Sequence, residues 1–298
     1  MALKSVFSAL KKEGYITKDL DLYLLSLNSE ENDRAIDVNA PSQIGTCLRS
    51  RYYARTGAPL DSNAIDARAR RIFDNGSYVH IRLQEYLKKL GKLLMDEVPV
   101  YSKEFNIQGH TDGIIRISSN EVAVLEIKSI NSKGFSDLKD AKADHKLQGL
   151  TYAFCLEERR KFLQKTYPSL EEFEASEKSR KKDYESLYQH LKSGHKYTRE
   201  QKIEYQVSLH LILDNLLFDV QIPITKVIFL YESKDTQELK EYCILSKDTQ
   251  SIQTLDKIKE DCAYLNNCVK NVIIPPRCSS SVADSSCRWC SYKTECWN

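Results

Sequence analysis

Asp112, Glu126 and Lys128 are the residues of this sequence whose types and spacing could do chemistry. They lie in residues 109–130, GHTDGIIRISSNEVAVLEIKSI, which read as two strands joined by the polar turn Ser118-Ser119-Asn120. Side chains alternate along a strand, so Val122, Val124, Glu126 and Lys128 share one face and Ala123, Leu125 and Ile127 the other. Apolar residues on both faces predict a central strand covered on both sides. Charged residues at the end of such a strand are costly unless paired or bound to a cation. An in-register hairpin brings Asp112 to the same end, and two carboxylates held together repel until a hard cation relieves them. Asp followed by Glu-x-Lys on the next strand suits metal-dependent phosphodiester hydrolysis, with Lys128 near enough to orient a water or steady developing negative charge. The plain alternative is a hairpin ending in a solvated Glu–Lys pair.

Further candidates flank the hairpin. His80 lies beside the apolar stripe Val79, Leu83, Tyr86, Leu87 and Leu90 of a helix predicted over residues 72–90, with Gly91 as its stop. A lone histidine there is more often structural than a ligand. Gln148 and Tyr152 are four apart on a helix predicted over 136–158 and share a face suited to holding a nucleotide, or simply to half-buried packing. Arg49, Arg51, Tyr52 and Tyr53 interleave cations with aromatics on a helix capped by Ser42 and stopped by Gly57, a pattern that suits phosphates and stacked bases. Arg68, Arg70 and Arg71 form a second basic cluster.

The elements that must position these groups follow from patterning. The 298 residues are 41% hydrophobic and 29% charged, a globular composition, and the net charge of +2 leaves nucleic-acid binding to local patches. No apolar run reaches the roughly 18 residues of a membrane span, and residues 1–20 do not resemble a secretory signal. An intracellular, cytoplasmic setting is expected. A first helix is predicted over 3–12 and a strand over 93–100. The charge-dense run 157–201 reads as exposed helices broken at Pro168 and Gly194, an insertion or lid. Strands are predicted over 203–214, 225–231 and 241–246. A long helix over 249–267 would turn Ile252, Leu255, Ile258, Cys262 and Leu265 inward, and Pro275-Pro276 opens the tail.

Of nine cysteines, Cys155, Cys243, Cys262 and Cys268 sit in apolar or helical contexts. The tail carries Cys287-x2-Cys290-x5-Cys296 among polar residues, three thiols that need a partner. On spacing alone the fourth is Cys278 or a distant residue such as Cys47, and the set suits structural zinc or an iron–sulfur cluster.

Taken together these motifs resemble the RecB-like nucleases of the PD-(D/E)XK superfamily. The likeness is to the iron–sulfur branch that includes the CRISPR-associated adaptation exonucleases and the AddB nuclease domain. His80, Asp112, Glu126-x-Lys128 and Gln148-x3-Tyr152 stand in that branch's order, as do Cys47 and the terminal cysteines, over about residues 42–298. The resemblance implies an α/β fold with a mixed central sheet flanked by helices, a restriction-endonuclease-like core. The chain then divides into an N-terminal helical extension over 1–41, the nuclease domain over 42–275 and a cluster-binding tail over 276–298, with the helical insertion at about 157–201 a departure from the family's pattern. The resemblance also implies Mg²⁺ or Mn²⁺ held by His80, Asp112, Glu126 and the Ile127 carbonyl, and a 4Fe-4S cluster on Cys47, Cys287, Cys290 and Cys296. The expected activity is a metal-dependent DNA exonuclease preferring single strands, 5′-to-3′, in recombination, repair or phage or CRISPR DNA processing. Recombination or CRISPR adaptation proteins are the expected partners beyond DNA. The alternatives are a catalytically silent DNA-binding adaptor on the same fold and a prespacer-trimming subunit.

Overall fold

The structure, a computed structural model, describes residues 15–27, 35–61, 66–193, 196–220, 222–288 and 290–298. The helix expected over 3–12 lies outside them. An unforeseen helix, α1 (Tyr15–Ser26), opens the described chain.

The hairpin forms as its pattern dictates. Strands β2 (Ile107–Ser118) and β3 (Glu121–Ile130) run antiparallel, closing with Ser118 opposite Glu121. With β1 (Leu93–Ser102), β4 (Lys226–Ser233) and β5 (Leu239–Leu245) they make one mixed sheet in the order β1-β2-β3-β4-β5. Only β3 and β4 are parallel, and the helical crossover between them supplies much of the molecule. The two faces of β3 divide as alternation requires. Val122 and Val124 enter the large core; Ala123, Leu125 and Ile127 enter a smaller one under α3 (Ala67–Lys89). Six successive β3 residues, Val122 to Ile127, are buried, and burying a run of apolar side chains at roughly 25 cal/mol per Å² anchors this strand.

Helix α3 starts earlier than the sequence suggests because Asp66 caps it, accepting from Ala69 N at 2.6 Å. Its buried stripe is narrower than expected: Val79 and Leu83 pack on the sheet while Tyr86 and Leu90 face solvent. The helix expected over 136–158 is two helices. Asn131 caps α4 (Ser132–Asp137), and α5 (Ala143–Thr166) follows after Leu138 and Ala141 dip into the core. Gly149 lets α5 lie against the sheet, since a Cβ there would come within 2.7 Å of Phe229 and Val227 side chains.

The strand expected over 203–214 is a correction. Those residues belong to helix α8 (Arg199–Asp219). Thr198 and Gln201 form a capping box, and the buried residues Val207, His210, Leu213, Asp214 and Leu217 recur with helical spacing. The alternation in VSLHLILD imitates a strand. Between α5 and α8, helices α6 (Leu170–Ala175) and α7 (Glu177–Leu187) appear where the charge-dense run was expected to be helical. They are not merely solvated, because Phe173, Arg180 and Tyr184 are buried.

Helix α9 (Thr249–Lys270) buries Ile258, Cys262, Leu265 and Cys268, whereas Ile252, expected inside, is exposed. It packs against α2 (Leu48–Thr56), which follows a 3-10 turn at Pro41–Gln43 and stops at Gly57 (φ +70°). The tail, with short helices α10 (Ser285–Arg288) and α11 (Lys293–Trp297), folds back onto α2. Asp61 bonds to Ser291 and Thr294, and the Tyr53 and Tyr292 rings lie 6.0 Å apart. No described helix is long and apolar enough to cross a membrane.

Candidate active site

A local irregularity aims Asp112. Met95, Val98 and Val100 of β1 face the same core, an odd step that plain alternation forbids. Between the pairs Asp96↔Gly113 and Val98↔Thr111, Glu97 takes a left-handed backbone (φ +46°). Asp112 falls at that level and turns toward α3. Gln84 holds the distortion, donating to the Asp112 carbonyl at 2.9 Å and to Glu97 Oε1 at 3.2 Å from a buried side chain. One Asp112 carboxylate oxygen meets His80 Nδ1 at 3.0 Å; the other accepts from Ile127 N at 2.6 Å.

The second half of the site lies on β3 and α5. Glu126 is buried; its Oε1 accepts from Thr111 Oγ1 at 2.9 Å and its Oε2 from Lys128 Nζ at 2.7 Å. The same ammonium reaches Gln148 Oε1 at 3.1 Å, and Gln148 Nε2 donates to the Tyr152 hydroxyl at 2.9 Å. Glu126, Lys128, Gln148 and Tyr152 therefore form one continuous hydrogen-bonded line. The expected residues are brought to one end of the sheet as two sets, His80 with Asp112 and Glu126 with Lys128, joined through the Ile127 amide.

Burial, then the charge of Asp112, pushes the Glu126 carboxyl up to about 7 against the pull of Lys128 and Thr111. Burial would lower the His80 imidazole, but the hydrogen bond and charge of Asp112 override it and leave it above its ordinary value. Burial and the nearby Glu126 hold the Tyr152 phenol well above its usual range. With His80 neutral, as a metal ligand must be, two carboxylates face one ammonium and the site is short of positive charge. Hard oxygens plus an imidazole suit Mg²⁺ or Mn²⁺ by type, and a divalent cation would offset both the burial and the Asp112 repulsion that raise Glu126. Among the described residues no three His, Cys, Asp or Glu side chains are gathered at metal-holding spacing.

Gln84, Thr111 and Tyr231 were not singled out from the sequence. Gln84 had a signal, being four residues beyond His80 and so on the same helix face. Tyr231, opposite Lys128 in the β3–β4 register, accepts from Lys142 N at 3.1 Å and meets His145 Nδ1 at 2.7 Å. Burial and then Lys128 push the His145 imidazole down to about 4, so it stays neutral near the ammonium.

The tail brings Cys47, Cys278, Cys287, Cys290 and Cys296 around one small cavity with Ser50, Tyr53 and Trp297. All are free thiols. Cys278 touches Cys47, a contact that with burial pushes the Cys278 thiol up to about 11. Both fourth-ligand candidates are thus present, and the five thiols suit zinc or an iron–sulfur cluster by donor type.

The basic aromatic helix is a correction of another kind. Arg51, Tyr52 and Tyr53 are buried against α9 rather than displayed. Arg51 donates to Asn39 Oδ1 at 2.9 Å and contacts the Cys262 thiol. Arg49 is half-buried and lies over the Tyr53 ring at 5.7 Å. These four residues do not form an open face for nucleic acid.

No family model and no curated protein matches this sequence. Among solved structures, the protein SSO0001 is 17% identical, with a TM-score of 0.44 over 95% of this chain and 96% of its own. An alkaline exonuclease from Laribacter hongkongensis is 9% identical, with a TM-score of 0.44 over 80% of this chain and 92% of its own. At these scores neither likeness decides activity. The α/β architecture stands on the chain's own mixed sheet and flanking helices.

Proposed function

We propose that this chain is a Mg²⁺- or Mn²⁺-dependent deoxyribonuclease, an exonuclease of the RecB-like type that prefers single-stranded DNA and runs 5′-to-3′. The observation that supports it is the Glu126–Lys128–Gln148 line set against the Asp112–His80 pair: a buried carboxylate and a half-buried one beside a fixed ammonium. His80, Asp112, Glu126 and the Ile127 carbonyl would hold the ion. The bound ion would polarise a phosphate oxygen and acidify a water.

The chain's own groups account for the rest. Lys128 has three donors; Glu126 and Gln148 use two, which leaves one for an attacking water or a charged phosphate oxygen. Gln148 is itself fixed by Tyr152, so the ammonium is aimed before substrate arrives. The Ile127 amide locks Asp112 in place. A 4Fe-4S cluster on Cys47, Cys287, Cys290 and Cys296 would be structural, tying α2 to the tail.

End-labelled single-stranded and duplex DNA, incubated with Mn²⁺, Mg²⁺ or EDTA, tests the reading. Native protein should cut only with metal, and Lys128→Ala should lower the rate by roughly 10²–10³. Cleavage unchanged in the variant refutes the site. DNA bound but uncut by the native protein points to an adaptor.

A further inference from the structure

A cleft of about 340 Å³ opens beside the site, on the α3 side of the sheet. Asn75, Tyr78 and Arg82 of α3 form one wall; Glu232, Lys234 and Gln237, at the end of β4 and in the turn to β5, form the other. Glu232 pairs with Ser129 in the β3–β4 register, one residue beyond Lys128, and Val79 and Ile81 also line the cleft. Lys234 N donates to Ile130 O at 2.8 Å, which fastens the turn to β3 just beyond Lys128.

The cleft is built rather than incidental. Arg82 Nη2 donates to Glu232 Oε1 at 2.6 Å, and the Glu232 side chain is only 2% exposed while that of Arg82 is 39% exposed. The pair fixes the guanidinium at the rim and cancels the buried carboxylate, which leaves Lys234 to set the sign of the cleft. Gln237 adopts a left-handed backbone (φ +57°) and donates through Nε2 to Lys234 O at 3.2 Å, so the turn is internally braced. Tyr78 is 69% exposed, an aromatic face open to stacking.

We infer that this cleft holds one nucleotide of the DNA strand, with its base on Tyr78 and its phosphate toward Arg82 and Lys234, next to the bond that is cut. The inference rests on the DNA-cutting reading of the neighbouring site. The volume sits at the lower end of the ~300–1,000 Å³ of small-ligand clefts, enough for one nucleotide unit and not for a duplex. The Asn75 and Gln237 amides carry both donors and acceptors, the chemistry of a base edge. A ring face gives stacking that tolerates any base.

The test is binding of a fluorescein-labelled single-stranded oligothymidylate to the full chain in EDTA, followed by anisotropy over a range of salt. Arg82→Ala would strip the counter-charge from buried Glu232 and confound binding with folding, so Tyr78→Ala and Lys234→Ala, which break no buried pair, carry the measurement. Tyr78→Ala should weaken binding by roughly 5- to 150-fold. Lys234→Ala should flatten the slope of log K against log salt by about 0.7. Native affinity and native slope in both variants overturn the inference while leaving the nuclease reading standing. Native protein that binds no DNA overturns both.

Discussion

Two of the places where the molecule buries charge differ in their balance. Asp214 on α8 is fully buried, and it receives Arg159 at 2.7 and 2.8 Å, Arg180 at 2.7 Å and the Tyr184 hydroxyl at 2.8 Å. Every oxygen is satisfied, and positive charge exceeds negative. At the end of the hairpin, Glu126 and Asp112 share one ammonium and one imidazole, and Glu126 is pushed up to about 7. A buried charge that its neighbours answer in full is architecture. A buried charge left wanting is a place where something else must bind. The first knot ties α5, α7 and α8 together; the second has a deficit that a cation or a phosphate-bound ion would fill.

Asp214→Ala should show the larger effect. It leaves two guanidiniums in the interior without their carboxylate, and breaking a buried pair this way costs about 3–5 kcal/mol. Urea unfolding should show the midpoint fall by the corresponding amount. A variant of native stability that no longer cuts DNA would break the distinction, since the knot would then belong to the site.

At the hairpin the sign is opposite. The folded state binds the Glu126 proton more tightly than the unfolded chain, whose carboxyl sits near 4.5. In EDTA, stability should therefore fall as pH rises from about 4.5 to about 7, by on the order of 3 kcal/mol. His80, also raised, adds a loss in the same direction as pH passes upward through its folded value. The difference between native protein and Glu126→Gln isolates the carboxyl term: the native protein should lose ground to the variant as pH rises. Saturating Mn²⁺ should abolish the native protein's loss. Stability that climbs across this window would mean the site is not short of positive charge.

This contrast also marks what the sequence made legible. The hairpin was readable because both signals on it, two-residue alternation and acidic residues at the end of an apolar run, are local. Gln148 joined it through its helical spacing to Tyr152, which the structure preserves, and His80 through the family resemblance, since its spacing alone reads as structural. Asp112's orientation was not readable, because it depends on the left-handed backbone at Glu97 and on Gln84, a strand and a helix away. The Asp214 knot was hidden for the same reason: its partners are 34 and 55 residues off, and a run such as EERRKFLQKT looks like solvated surface until those partners are known. Arg51, Tyr52 and Tyr53 failed in the reverse sense. Their residue types advertised a nucleic-acid face, yet helix α9 covers them.

The smallest effect tests why α8 is a helix at all. Thr198 Oγ1 accepts from Gln201 N at 3.2 Å, and Gln201 Oε1 accepts from Thr198 N at 2.9 Å. Removing the hydroxyl in Thr198→Ala should cost about 1 kcal/mol, the usual size of a lost cap. Cutting should be unchanged, because the cap joins only Thr198 and Gln201 and touches none of the residues placed in the active site. If tertiary burial of Val207, Leu213 and Leu217 sets the helix, the cap only fixes where it begins, and the loss stays well below that of Asp214→Ala. An equal loss would mean that the local start signal, rather than the buried knot, decides between helix and the strand that its alternating residues imitate.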